Sequence, residues 1–368
     1  MTSRQPIRIG LIGANIHQGW SPRAHLPALA AHPDFDLAAV CTTRQESADE
    51  ARAAFNAGAA YDDYNKMLAD GNLDAATISL RVPRHYDPTM AALKAGKHVF
   101  TEWPLGRTTA EAIEMADEAR KQGVKTAVGL QARANPAVAH LRKLIADGYV
   151  GRVMTCHVRL MREGVMTRDS GRTWQREDES GAHTLTIACG HTIDALMSVV
   201  GEFADVSTVV STQATTWHET DTGNDLPVTS PDNILVSGNL QSGGVASVQI
   251  GNTAWAGSGY RMEIYGDEGT LVAVSVDSPQ LKEVNIRGAR GGNDLQDLVP
   301  SEELILAPEM PANEAYNVGQ LYSKFAASIR GTSNGEDAVP DFDHAVGLHR
   351  FIDAIRQSSN EGRRIATA

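Results

Sequence analysis

Three short stretches of the 368-residue chain carry residue types that could hold a phosphate-bearing ligand and face its reactive end. The first is GLIGANIHQGW, 10–20. It places Gly13 where a strand must turn tightly, puts Asn15 where a second glycine is usual, and delays the next glycine to Gly19 before Trp20. A dinucleotide-binding turn needs glycine for close approach to pyrophosphate and a helix N-terminus facing the phosphates. As a glycine pattern the match is weak, but Asn tolerates the left-handed conformation best among non-glycine residues, so Asn15 is acceptable there. A plain strand-to-helix turn without a ligand is the alternative. The second stretch, VCTTR at 40–44, ends a strand without the acid that would accept from ribose hydroxyls. Thr42, Thr43 and Arg44 instead suit a phosphate on that hydroxyl, which favours NADP and leaves NAD possible. The third, VFTEWPLG at 99–106, runs from an apolar strand into Glu102, Trp103 and Pro104. An indole neither gives nor takes a proton at neutral pH; it offers a stacking face and one N–H donor.

The elements around these stretches place them together. Apolar runs at 7–12, 37–41, 75–80, 98–100 and 125–130 read as short buried strands, with helical segments at 23–31, 46–56, 86–95 and 109–122 between them. Such alternation implies a parallel sheet with helices on both faces, whose ligands bind outside the carboxyl ends of the strands. Arg81, Pro83 and His85 follow the strand at 75–80, and Gln131 and Arg133 follow the one at 125–130, so they join the cleft candidates. After a helix at 136–148 the pattern changes to strands at 153–160, 206–212, 234–240, 245–251, 261–265 and 270–276, joined by Gly, Asp and Ser turns. This is an antiparallel sheet, with helices at 313–330 and 343–358 closing the chain and the Gly/Asn-rich stretch 287–294 read as a surface loop. The expected domains are 1–150 and 151–368.

Composition narrows the function classes. A net charge of −12 and a pI near 5.5 leave no basic excess for nucleic acid. Cys41, Cys156 and Cys189 are widely spaced, fit a reducing compartment and form no metal or disulfide framework. No apolar run reaches membrane length and no signal-peptide pattern opens the sequence, so a soluble, cytoplasmic protein is expected. No metal motif appears; Asp341, Asp343 and His344 read as a helix start.

IRIGLIGA, ISLRVPRHYDPTMAALKAGKHVFTEWPLG, VGLQARANPAVAHLRKLI, GHTIDAL and EIYGDEGTL, in that order, resemble the Gfo/Idh/MocA oxidoreductases over most of the chain. Within the family they look most like the branch containing the fungal repressor of the galactose regulon, a regulator that binds NAD(P). The resemblance implies a Rossmann dinucleotide-binding domain followed by an open, mostly antiparallel sheet domain that binds substrate. It also implies Glu-Lys-Pro after the strand at 98–100, with the lysine beside nicotinamide and substrate hydroxyl; Trp103 stands in that lysine's place, while Glu102 and Pro104 match. Farther on, the family's Asp-x-x-x-His becomes Ile187 and His191, with Asp194 at another matched position able to orient the imidazole or to lie on the helix surface. His191 is then the one matched group whose pKa range suits proton transfer, with His183 as a second candidate. Trp103 and Trp174 would give aromatic walls to a sugar ring, and Arg172 beside Trp174 an anion or hydroxyl contact or simply a surface charge. Two function classes follow: an NAD(P)-dependent oxidoreductase acting on a sugar, polyol or related hydroxyl or carbonyl compound, and a noncatalytic dinucleotide-binding regulator. The open sheet leaves a face that self-association would cover, so a homo-oligomer is expected.

Overall fold

The computed structural model describes residues 5–70, 72–333, 335 and 338–367. The chain divides into two compact units, 1–134 with 305–347 and 135–304 with 348–368. A single boundary at 150/151 is therefore not where the units part. Residues 135–150 go with the second unit, and a helix near the C-terminus returns to the first.

In the first unit, β1 (Ile7–Ile12), β2 (Phe35–Cys41), β3 (Ala59–Tyr61), β4 (Ala75–Ile78), β5 (His98–Glu102) and β6 (Thr126–Gly129) form one parallel sheet in the order β3-β2-β1-β4-β5-β6. The order reverses between β1 and β4, which opens a crevice at their carboxyl ends. The helices between them are α1 (Leu26–Ala31), α2 (Gln45–Phe55), α3 (Tyr64–Asp70), α4 (Tyr86–Lys94) and α5 (Thr109–Gln122). A π-helical turn, Ser21–His25, leads into α1. Thr108 caps α5 by accepting from Glu111 N, and Gly123 ends it in a left-handed conformation. The strand β3 and helix α3 were not foreseen: three half-buried residues give no periodicity to read.

The helix Ala315–Ile329 belongs to this unit because its apolar face completes the core. Phe100 and Tyr322 pack at a tilt of 32° with ring centres 4.9 Å apart, Phe35 meets Tyr322 edge-on at 5.2 Å, and Phe325 lies 6.0 Å from Phe100. Each such pair adds about 0.5–1.5 kcal/mol beyond the area it buries.

The second unit begins with α6 (Pro136–Ala146), where Asn135 caps the helix by accepting from Ala137 N and Pro136 occupies the first turn. Its main sheet has nine strands in the order β17-β16-β15-β14-β7-β13-β12-β9-β18. These are β7 (Val153–Arg162), β9 (Asp205–Ser211), β12 (Asn233–Asn239), β13 (Val245–Asn252), β14 (Gly259–Gly266), β15 (Gly269–Ser275), β16 (Asn285–Arg290), β17 (Gln296–Leu298) and β18 (Ile365–Ala366). All pairings are antiparallel except β7 with β13. The stretch 287–294 is thus not a loop throughout: Arg287 to Arg290 pair with β15, and a Cβ on Gly288 would require the end of the Leu298 side chain, 2.6 Å away, to shift. A small sheet joins β8 (Thr167–Arg168), β10 (Thr216–Glu219) and β11 (Asp225–Pro227). A second π-helical turn, Leu185–Cys189, leads into α7 (Gly190–Val200). The long helix Phe342–Glu361 gives its first residues to the first unit and the rest to the second.

Candidate functional site

The carboxyl edge of the parallel sheet gathers most of the residues singled out in the first unit. Gly13 follows β1, Thr42 to Arg44 follow β2, Arg81 and Pro83 follow β4, Trp103 and Pro104 follow β5, and Gln131 and Arg133 follow β6. Gly13 has φ +92°, and a Cβ there would sit 2.3 Å from the carbonyl oxygen of Ser79. Glycine is therefore required by the approach of the β1 and β4 turns themselves. Gly13→Ala is expected to cost about 1–3 kcal/mol of stability, read as a lower urea midpoint with unchanged slope. An unchanged midpoint would show that this turn has slack.

Asn15 behaves otherwise than expected. Among the described non-glycine residues Asn56 alone has positive φ, so Asn15 is not left-handed. Its side chain instead accepts from His17 N (2.7 Å) and Gln18 N (2.9 Å). An Asx-type turn thus takes up two N–H groups that a glycine would leave open to an anion. Ser21 closes the loop by donating to Gly13 O at 2.6 Å. Trp20 is half-buried beside it, with Arg23 5.8 Å from its ring centre.

At the end of β2, Thr43 and Arg44 are exposed, and Arg44 stands at the N-cap of α2. Thr42 is less available: its hydroxyl bonds the Arg44 carbonyl (2.8 Å) and Ser47 Oγ (2.6 Å). His85 is also occupied. It is wholly buried, with Nδ1 2.9 Å from the Pro104 carbonyl and Nε2 2.9 Å from that of Leu80. Burial pushes its pKa down, and a neutral ring donates to only one of these carbonyls, so the ring sits enclosed between the β4 and β5 turns with neither nitrogen turned to a ligand.

The polar centre of this edge is Glu102. His25 Nε2 lies 2.9 Å from its Oε1, and Gln131 Nε2 donates to both carboxylate oxygens at 3.0 and 3.1 Å. On the other side of the ring, His25 Nδ1 is 2.9 Å from the Tyr322 hydroxyl, which is 2.9 Å from Thr77 Oγ1. A carboxylate only accepts, so Nε2 is a nitrogen that carries a hydrogen and donates it to Glu102. Burial raises the Tyr322 phenol far above its ordinary pKa, which keeps it a donor. Gly129 makes room for the carboxylate: a Cβ there would fall 2.5 Å from Glu102 Oε1. Trp103, next along, is buried at 4% exposure and reaches Pro104 through a cis peptide. Sequence reading missed His25, Tyr322 and Thr77; the one available signal was a histidine in the turn after β1.

In the second unit His191 is buried one helical turn beyond Ile187. Asp194 is wholly buried too, so it is not a helix-surface carboxylate. His183 has a structural setting. Its Nε2 lies 3.0 Å from Asp178 Oδ1, at an angle outside hydrogen-bond geometry. Arg356 holds the same carboxylate with two bonds of 2.7 and 2.9 Å. Burial alone would raise the Asp178 pKa, but His183 and Arg356 outweigh it and hold the carboxyl well below its usual range. Trp174 is half-buried and Arg172 exposed. The three cysteines are buried with raised pKa values, hence inert thiols. Among the described residues no group of three or more His, Cys, Asp and Glu is placed to hold a metal ion, and no helix is long and apolar enough to cross a membrane.

Two family models match nearly end to end: an oxidoreductase family NAD-binding Rossmann fold over residues 7–130, and the oxidoreductase family C-terminal alpha/beta domain over 142–367. The chain belongs to the Gfo/Idh/MocA oxidoreductase family. Its relatives include the dehydrogenase aclE of Aspergillus oryzae, 24% identical over 97% of both chains. The levoglucosan dehydrogenase of Pseudarthrobacter phenanthrenivorans is 28% identical over 73% of each. Among solved structures, a super-repressor mutant of Gal80p from Saccharomyces cerevisiae has the same fold, with a TM-score of 0.85, 20% identity and coverage of 99% of this chain and 98% of that one. Gfo/Idh/MocA membership gives the carboxyl edge its meaning, since the first model is that of an NAD-binding domain. Gly13, the exposed Thr43 and Arg44, and the fixed Glu102 fit a nicotinamide dinucleotide there, with the phosphate cradle altered at Asn15.

Proposed function

We propose that this Gfo/Idh/MocA protein is an NAD(P)-dependent oxidoreductase acting on a sugar, polyol or related hydroxyl or carbonyl compound. The observation that carries the reading is the built carboxyl edge: Glu102 is held from both sides by His25 and Gln131, an arrangement that orients a carboxylate beside the expected nicotinamide position. A bound nicotinamide would supply the hydride chemistry. Gly13, Asn15, Trp20, Thr43 and Arg44 would bind the dinucleotide, with Arg81, Pro83, Pro104 and Gln131 bordering its reactive end. His191 would take or return the hydroxyl proton on an imidazole nitrogen, oriented by Asp194. Trp103, Trp174 and Arg133 would wall and hold the substrate. The dehydrogenase names of the relatives support this order of readings.

The test is whether bound cofactor changes redox state when sugars, polyols and their oxidised forms are supplied. No change with any of them would favour the second reading, a noncatalytic dinucleotide sensor. Trp103 and Ile187, which replace two proton-transfer groups, are what favour that alternative.

NADP is proposed as the preferred cofactor, because Arg44 is exposed at the head of α2 and no acid ends β2. Arg44→Ala is expected to cost about 1.5–3 kcal/mol of NADP binding, roughly ten- to hundredfold in Kd, with little effect on NAD. Equal wild-type affinities for the two dinucleotides would remove the preference. A second copy of the chain is proposed to cover the open face of the nine-stranded sheet, where Val209, Leu235 and Val245 are about half exposed.

A further inference from the structure

The second unit holds a cavity of about 120 Å³ lined by Arg162, Arg168, Arg172, Ile187 and Trp217. A cavity of this size holds several waters, room enough for an acid group and its neighbouring carbons.

Arg168 is the residue the fold leaves unexplained. Arg162 is paired with Asp277 at 3.0 Å, Arg176 with Glu177 at 2.6 Å and Arg356 with Asp178 at 2.7 Å. No carboxylate among the described residues lies within ion-pairing distance of Arg168. Its Nη1 donates to the carbonyls of Gly164 and Thr167, its guanidinium sits 4.8 Å from the ring centre of Trp217, and its Nε is buried without an acceptor. Trp217, only 5% exposed, also leaves its Nε1–H buried without an acceptor. Two unsatisfied buried donors, one of them charged, on residues that line one cavity are costly to keep. Burial, with Arg172 and Arg162 nearby, pushes the Arg168 pKa down to about 10, so the group is still a cation at neutral pH.

We infer that this cavity receives the carboxylate of a small hydroxy acid, so that the substrate of the proposed reaction is a sugar acid and not a neutral sugar. The inference rests on the oxidoreductase reading for the word substrate, but not for the binding site. A planar guanidinium without a carboxylate partner matches a carboxylate edge. The charges in the lining favour a monoanion: Arg162, Arg168 and Arg172 stand against Asp232, which already accepts from Gln213 N, Ala214 N and Asn233 Nδ2, and the exposed Glu163, an excess of one positive charge. The carboxylate serves as an anchor and makes or breaks no bond.

The test is calorimetric titration of the full chain with D-gluconate and with sorbitol, its neutral counterpart. Wild type is expected to bind gluconate at least about tenfold more tightly. Arg168→Gln should erase the difference, Arg168→Lys should keep part of it, and Trp217→Phe, which removes the N–H but keeps a ring, should weaken gluconate about fivefold and leave sorbitol unchanged. The lysine and phenylalanine variants keep the question decidable if the glutamine variant does not fold. Equal binding of gluconate and sorbitol, full gluconate binding in Arg168→Gln, or displacement of gluconate by equimolar inorganic phosphate would each overturn the site. Cofactor reduction separates the two proposals. Arg168-dependent gluconate binding without any reduction sinks the oxidoreductase reading alone, and oxidation of sorbitol as fast as gluconate sinks the acid site alone.

Discussion

His191→Ala is expected to lower turnover by about two to four powers of ten, the usual share of a general acid or base, while dinucleotide affinity stays within about twofold of wild type. Hydride transfer at an alcohol carbon needs a partner for the hydroxyl proton. With Trp103 and Ile187 in two of the implied positions, few groups remain for that role. His191 is buried on the first turn of α7, three residues before the wholly buried Asp194. His183 is not an equivalent substitute, because its ring is engaged with Asp178 and that carboxylate is clamped by Arg356. The measurement is steady-state kinetics on folded variants, with His191→Asn as the control that keeps polarity without a titrating ring. A drop in kcat at constant KM marks transition-state loss. Full activity in the alanine variant would remove proton transfer from His191, and the clamp on Asp178 would then direct attention away from histidine altogether.

The second large effect is expected on stability. His25→Ala should cost about 3–5 kcal/mol, the range for removing one member of a buried polar pair. The imidazole has no exposed surface and bonds at both nitrogens, so alanine leaves a void, a Tyr322 hydroxyl short of one partner and a Glu102 carboxylate held by Gln131 alone. Tyr322→Phe removes one hydroxyl and keeps the ring packed against Phe100, and should cost only about 1–2 kcal/mol. Urea denaturation of both variants and of the pair together reads the ordering. If Tyr322→Phe proved as harmful as His25→Ala, the chain of bonds would not be organised around the imidazole. A double variant whose losses simply add would show that Tyr322 and His25 act independently.

Regular patterns made much of the fold legible. β1 and α5 run where the pattern places them, because Ile7 to Ile12 is apolar apart from the exposed Arg8 and Thr109 to Gln122 is bracketed by a capping threonine and a terminal glycine. The parallel pairing of β7 with β13 inside an otherwise antiparallel sheet was not legible, since each strand alone shows the same alternation of buried and exposed residues. For the site, the strand ends pointed to Glu102 because ligands gather at carboxyl edges. What holds Glu102 was hidden by distance along the chain: the His25 to Tyr322 bond spans 297 residues. Asn15 was misjudged for a different reason. Its residue type suits both a left-handed backbone and an Asx turn, and only the acceptor geometry at His17 and Gln18 decides between them.

The return of helix Ala315–Ile329 to the first unit also bears on how the protein is made. A ribosome delivers β1 to β6 long before Tyr322, Phe325 and Leu321 emerge, yet these side chains are wholly buried parts of that sheet's core. Until they arrive, Phe35 and Phe100 lack apolar cover and His25 lacks one hydrogen-bond partner. Completion of the dinucleotide-binding unit therefore falls after most of the chain has been synthesised, in contrast to the usual order in which an N-terminal domain folds first. A fragment ending at residue 150 should accordingly expose a sticky aromatic surface, and supplying residues 305–347 as a separate chain is the direct way to restore its solubility.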